Sequence, residues 1–239
     1  MKKRSKILIA ASIVLVIATV LCSIVHFVNL YIKNKEESEL LRLAFEYYSA
    51  KLSTYEAENE AYDDYEIDAA FIGDSLTDGY DLEKYYPGYT TANRGIGGDT
   101  TFRLEERLAT SLYDLKPKVA VMLIGGNNLD TMFENYEDIL IGIRDNLPNT
   151  RVILVSLTAM GGDFAKKNSI AAYNNVIIKK LAAKYGFEFV DIYTPLFDET
   201  TGEIYADCTS DGAHLTDRGY QILTEAITTS LSAILNSET

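Results

Sequence analysis

Val119-Ala120-Val121-Met122-Leu123-Ile124-Gly125-Gly126-Asn127-Asn128 is an unbroken apolar run that stops at a glycine pair and two amides. No polar residue interrupts the run, so it does not match a half-buried strand or an amphipathic helix. It matches a strand buried on both faces, as in the middle of a parallel sheet. Working outward, Val152 to Val155 follows as a second buried apolar run and Phe187 to Val190 reads as a further strand, while Ile67 to Ile72 and Tyr89 to Asn93 read as strands upstream. Between these five runs the apolar spacing becomes helical, over about 100–113, 134–146 and 168–185. In the last of these, Ile170, Tyr173, Ile177 and Leu181 fall on one face and Gly186 follows as a C-cap. A final helix, about 217–235, aligns Tyr220, Leu223, Ile227, Leu231 and Ile234. Strands alternating with helices predict an α/β domain over 67–239. Its expected form is a three-layer α/β/α, flavodoxin-like arrangement around a five-stranded parallel sheet.

Upstream the pattern differs. Ile7 to Ile32 contains no charged residue, and Lys2, Lys3, Arg4 and Lys6 precede it. As a helix this run would span roughly 39 Å, more than a bilayer core requires. It is too long for the apolar core of a cleaved signal, and Ala18-Thr19-Val20 is a poor cleavage site. Leu21 stands where a lipoprotein box before Cys22 would need a small residue. The expectation is a cytoplasmic basic tip and single transmembrane anchor over 1–32, with the rest of the chain outside. The alternative is secretion after cleavage. Residues 33–66 read as an amphipathic helix, with Leu41, Ala44, Phe45, Tyr48, Leu52 and Tyr55 in register over 36–58, followed by an acidic, tyrosine-rich linker from Glu56 to Glu66.

Composition narrows the function. The chain is 47% hydrophobic and 24% charged, which argues against global disorder. Four of the 22 basic residues and none of the 35 acidic ones precede residue 33, so the remainder carries a net charge of −17. Such a surface repels nucleic acid, and no nucleic-acid partner is expected. Cys22 and Cys208 are the two cysteines, one of them in the anchor, so neither a disulfide scaffold nor a cysteine-type metal site is expected. Cys208 reads as a semi-buried small residue. Of the two histidines, His26 lies in the apolar run. His214 is therefore the one imidazole available to the α/β domain for proton transfer near neutral pH.

Four polar blocks follow elements of the expected sheet. Gly73-Asp74-Ser75-Leu76 follows the first strand, and Asn93-Arg94-Gly95-Ile96-Gly97-Gly98-Asp99-Thr100 the second. Gly125-Gly126-Asn127-Asn128 follows the third, and Asp211-Gly212-Ala213-His214-Leu215 precedes the last helix. Taken singly, each has an ordinary reading as a turn or cap. In a parallel sheet, however, strands end on one side, where sites form.

In this order the four blocks resemble those of the SGNH hydrolases, the GDSL esterase/lipase family. The glycine block is most similar to that of the platelet-activating-factor acetylhydrolase-like branch. The resemblance covers about 67–236 and departs from the common pattern at Asn128, where many members have Asp. It implies a serine esterase with Ser75 as nucleophile, His214 as general base and Asp211 as its orienting carboxylate. It assigns an oxyanion hole to the backbone N–H groups of Ser75 and Gly98 and the side-chain amide of Asn127. Glycine at 98 would let the backbone approach the substrate closely. Asp74, Arg94 and Asn128 are candidate substrate-lining residues, although Asp74 reads first as ordering the turn after the first strand and Arg94 first as one half of a structural ion pair; Thr77, Asp78 and Tyr80 are candidates for the entrance. No metal or organic cofactor is implied. The expected partner is a small-molecule, glycan or lipid ester that loses a small acyl group, acetyl foremost, through an acyl-enzyme. An acyltransferase acting on envelope glycan with the same site, and a non-catalytic binding module, are the competing readings.

Overall fold

The computed structural model describes residues 2–237; before residue 26 only Thr19 and Ser23 are described to the side chain. A first helix, α1 (Lys2–Asn59), contains both the apolar run and the amphipathic segment. The chain divides into two compact units, 1–50 and 51–239. In the first unit the described side chains are almost all exposed, Leu41 and Phe45 included, and Arg42 pairs with Glu39 and Glu46 one turn away on either side. Among the described residues no helix is long and apolar enough to cross a membrane. The anchor expected over Ile7 to Ile32 lies largely outside the residues described to the side chain.

The second unit is built on a parallel sheet of β1 (Ala69–Gly73), β2 (Thr91–Gly95), β3 (Val119–Leu123), β4 (Arg151–Val155) and β5 (Glu188–Val190), in the order β2-β1-β3-β4-β5. This is the doubly wound order expected from the alternation of strands and helices. Side chains alternate across β1, β3 and β4, which gives two apolar layers. Ala70, Ile72, Met122 and Leu154 pack with α5 (Tyr136–Asn146) and α6 (Asn168–Tyr185). Phe71, Val121 and Ile153 pack on the other side against α8 (Asp217–Asn236), through Leu223, Ile227 and Leu231, and the single turns α3 (Leu82–Tyr85) and α7 (Tyr193–Leu196) add Leu82 and Leu196 to this layer. Register then positions the site. Gly73 of β1 is level with Gly95 of β2 and Leu123 of β3, so the three polar blocks that follow these strands leave the sheet at one edge.

Two local readings change in the structure. The helix expected over 100–113 breaks at Arg107 into α4 (Thr101–Glu106) and a π-helical turn, Ala109–Tyr113. The buried face of α6 is Ala171, Asn174, Asn175, Ile178 and Ala182, while Tyr173 is exposed. Ile170 and Leu181 of the expected stripe pack partly buried against the core, but the deepest positions are shifted toward the asparagines, which are needed inside. Asn175 accepts from Leu157 N–H (2.7 Å) and donates to Leu157 C=O (3.1 Å). Asn168 does the same with Met160 (2.8 Å each), and Asn174 donates to Leu129 C=O (2.9 Å). These bonds satisfy the backbone of two buried loops that no strand or helix could pair.

The start of the segment read as a linker is helical, since α1 runs to Asn59, whose amide donates to Thr110 C=O (2.6 Å). Tyr55, in the amphipathic helix just before it, is buried and its hydroxyl donates to Gly95 C=O (2.6 Å). The end of α1 thus packs on the edge of β2, inside the second unit. Cys208 is fully buried.

Candidate active site

Ser75 opens a single helical turn, α2 (Ser75–Asp78), directly after β1. Asp74 caps that turn by accepting from Leu76 N–H (3.1 Å). His214 comes from the loop before α8, which is tied by its own short bonds: Thr209 Oγ1 donates to His214 C=O and accepts from Gly212 N–H. Gly212 has φ +90°, and Gly161 N–H donates to its carbonyl (2.8 Å). A Cβ at 212 would lie 2.2 Å from the carbonyl oxygen of Gly161, so the loop reaches its position only with glycine there.

These elements bring together three of the side chains singled out from sequence. His214 Nε2 lies 3.1 Å from Ser75 Oγ, and His214 Nδ1 lies 2.7 Å from Asp211 Oδ2. With Nδ1–H donating to the carboxylate, Nε2 is left to accept from the serine hydroxyl. Asp211 Oδ1 accepts from the backbone N–H of His214 (2.8 Å) and Ala213 (2.9 Å). The His214 N–H, the imidazole and the Ala213 N–H together hold this carboxyl well below the usual carboxylate range, so it stays ionised.

Ser75 and His214 line a cavity of about 200 Å³ with Asp74, Asn127, Thr158, Met160, Phe164 and Lys167. Asn127 donates one amide hydrogen to Asp99 C=O (2.8 Å), leaving the other available. Among the described residues the backbone N–H groups of Ser75 and Gly98 have no acceptor. Gly98 is exposed and outside the cavity wall. A Cβ on it would meet nothing within 4 Å, so its φ of +80° accounts for the glycine, rather than crowding by the protein.

Asp74 lines the cavity as expected from its position, and burial pushes its carboxyl up to about 6; the Leu76 N–H opposes this shift. Other sequence candidates lie elsewhere. Arg94 is fully buried away from the cavity. It pairs with Glu58, donates to Asn59 Oδ1 (3.1 Å) and stacks 4.7 Å from the Tyr55 ring centre. Its guanidinium joins the end of α1 to β2 and is not a substrate contact. Thr77 and Tyr80 are buried, and Asp78 is held by Lys51 (2.6 Å) and Gly97 N–H (2.9 Å), so none of the three lines the entrance. Asn128 bonds to Thr101 and faces a neighbouring groove instead of the cavity.

Thr158, Met160, Phe164 and Lys167 lie in the 157–168 loop, one of those expected to shape the pocket, but none of them is marked individually in the sequence, and Arg107 is not marked at all. Arg107 is buried and donates to Asp99 Oδ2 (2.7 Å), Arg94 C=O (2.9 Å), Ser111 Oγ (2.7 Å) and Gly73 C=O (2.9 Å). One side chain thus ties the ends of β1 and β2 to the loop that carries Gly98. Burial pushes the Asp99 carboxyl up, and the Arg107 charge pulls it back. A signal for the α6 contacts was visible in the asparagines set among its apolar residues. Arg107 carried no such mark. Among the described residues no cluster of His, Cys, Asp and Glu is arranged to hold a metal ion.

The comparisons accord with this geometry. Residues 71–222 match the model of the GDSL-like lipase/acylhydrolase family. A comparison with the curated protein sequences finds no match. A Streptococcus pneumonia structure named for platelet activating factor superposes with TM-score 0.71 at 25% identity, over 80% of this chain and 96% of the other. A GDSL-like lipase from Bacteroides thetaiotaomicron gives 0.68 at 22% identity, over 76% and 97%. An acetyl xylan esterase from Geobacillus stearothermophilus gives 0.58 at 21%, over 70% and 95%. With the family model spanning the sheet, the Ser75 turn and the His214 loop, the chain belongs to the GDSL-like lipase/acylhydrolase family, the serine-type esterases and lipases of carboxylic esters.

Proposed function

We propose that the chain removes a small acyl group, acetyl foremost, from a carbohydrate or lipid ester through a covalent acyl-enzyme. The hydrogen-bonded series Ser75–His214–Asp211 at the mouth of a small cavity carries this reading. Ser75 Oγ attacks the ester carbonyl while His214 Nε2 takes its proton, and the oxygen of the tetrahedral intermediate is met by the Ser75 and Gly98 N–H groups and the Asn127 amide. His214 then protonates the leaving alcohol, with Asp211 holding the ring and stabilising the imidazolium. Water, deprotonated by the same imidazole, releases the acid and restores Ser75.

The cavity supports a short acyl group. At about 200 Å³ it falls below the ~300–1,000 Å³ of sites for drug-sized ligands. The likeness to an acetyl xylan esterase is in keeping with that size. Hydrolysis of a para-nitrophenyl ester series tests it: rates should be highest for acetate and fall with chain length, and Ser75→Ala should abolish them. Equal or faster turnover of long-chain esters would refute the small-acyl reading.

We also propose that the basic tip and the uncharged run tether the domain to the membrane, outside the cytoplasm. The pattern Lys2-Lys3-Arg4, Lys6, then Ile7 to Ile32 supports this. The full chain should sediment with membranes, resist carbonate extraction and be digested by protease added to spheroplasts. Recovery in the soluble fraction of unlysed cells would contradict it.

A further inference from the structure

A groove of about 550 Å³ adjoins the catalytic cavity and shares Asn127 and Lys167 with it. Its walls also include Asn128, Asp130, Thr131 and Lys166. They are mostly amides, hydroxyls and charges, a surface for a polyhydroxylated group and not for an acyl chain. The two lysines differ from many others in the chain. Lys51, Lys84, Lys116, Lys118 and Lys184 each pair with a carboxylate. Lys166 and Lys167 make no such pair among the described residues; Lys167 instead lies 5.5 Å over the Phe164 ring, on the wall between cavity and groove. Two ammonium groups against the single carboxylate of Asp130 leave this groove cationic, in a chain whose net charge is −13. At physiological ionic strength charges beyond about 8 Å are largely screened, so these local lysines, and not the acidic surface as a whole, set the field a bound ligand meets.

Resting on the esterase reading above, we propose that this groove receives the alcohol part of the ester and selects alcohols that carry an anion, a sugar carboxylate or a sugar phosphate. The cavity takes the short acyl group, and the groove reads the charge on what leaves. Asn127, facing both spaces, marks the boundary at which the ester bond sits.

The test compares monoacetylated glucose, glucuronate and glucose phosphate as substrates of the detergent-solubilised full chain, with para-nitrophenyl acetate as the reference ester. The anionic acetates should exceed the neutral one by tenfold or more in kcat/KM, through KM, and the advantage should shrink as salt is added. Whether the carboxylate or the phosphate is preferred identifies the source of the anion. In Lys166→Gln/Lys167→Gln the ratio of anionic to neutral should fall toward one. Wild-type protein supplies a second readout that does not depend on the folding of that variant. Free glucuronate or glucose phosphate should inhibit para-nitrophenyl acetate hydrolysis competitively, while glucose should not. An enzyme that hydrolyses the reference ester with no preference for, and no inhibition by, the anions overturns the proposal. Failure to hydrolyse any ester, the reference included, would instead overturn the esterase reading.

Discussion

Asp99 with Arg107 and Asp211 with His214 are both carboxylate–base pairs at the same edge of the sheet, at 2.7 Å each, yet their surroundings are opposite. The side chains of the first pair are 0% and 1% exposed; those of the second are 52% and 51% exposed. A buried ion pair is retained at a desolvation cost, and removing one partner strands the other charge. An exposed pair contributes little to stability. The first pair therefore acts on the fold, by joining the ends of β1 and β2 to the Gly98 loop. The second, whose geometry is fixed by two backbone N–H groups and one imidazole, adds almost nothing to stability, and the proposed esterase chemistry gives it a role.

Substitutions can break this comparison. The largest effect is expected from His214→Ala. Turnover of para-nitrophenyl acetate should fall by about 10⁴-fold or more, while urea denaturation should place its stability within about 0.5 kcal/mol of wild type. A loss of several kcal/mol would mean that the exposed pair is structural after all. Arg107→Met should behave in the opposite way, costing about 3–5 kcal/mol in the same denaturation experiment because Asp99 is left charged and unpaired in the interior. Adding Asp99→Asn should recover part of that loss; a double variant no better than the single one would show that the bonds to Gly73 and Arg94, and not the charge, carry the stability.

A smaller effect sharpens the picture between the two pairs, at Asp74. Its carboxyl is pushed up to about 6 by burial, so the folded state binds its proton more tightly than the unfolded chain does. The stability linked to this group is complete below the ordinary carboxylate range and is lost as pH rises through about 6. Asp74→Asn keeps an acceptor for Leu76 N–H and removes the buried charge. It should stabilise the protein at pH 8 by about 1–3 kcal/mol, and by much less near pH 4. Equal stabilisation at both values would show that charge is not the cause. For Asp211 the sign is reversed: its lowered pKa favours the fold above the carboxylate range, but its exposure keeps that contribution small.

What could be read from the chain depended on how local the physics is. The central strands β1 and β3 were legible because a strand buried on both faces must be apolar along its length. The Asp211–His214 spacing was legible because one short loop makes both the Asx turn and the imidazole bond. A structural ion pair at Arg94 could be read, but its partners could not: Tyr55 reads as part of an amphipathic helix, Glu58 and Asn59 lie where the acidic, tyrosine-rich composition resembles a linker, and only the fold brings them onto β2. Arg107 was harder still. Its bonds run to Gly73, Arg94 and Asp99, and a buried guanidinium looks in sequence like any helical surface arginine. The face of α6 was misread because buried asparagines, which repair the backbone of the loops after β3 and β4, do not register in an apolar pattern.

The central claim is that Ser75 is a nucleophile made reactive by His214. Covalent labelling with a fluorophosphonate, followed by peptide mass spectrometry, tests it most directly. The account predicts a single adduct on Ser75 that forms in step with the loss of esterase activity, no adduct in Ser75→Ala, and labelling slowed at least a thousandfold in His214→Ala. An adduct on a different residue, or labelling of Ser75 at an unchanged rate without His214, would contradict it.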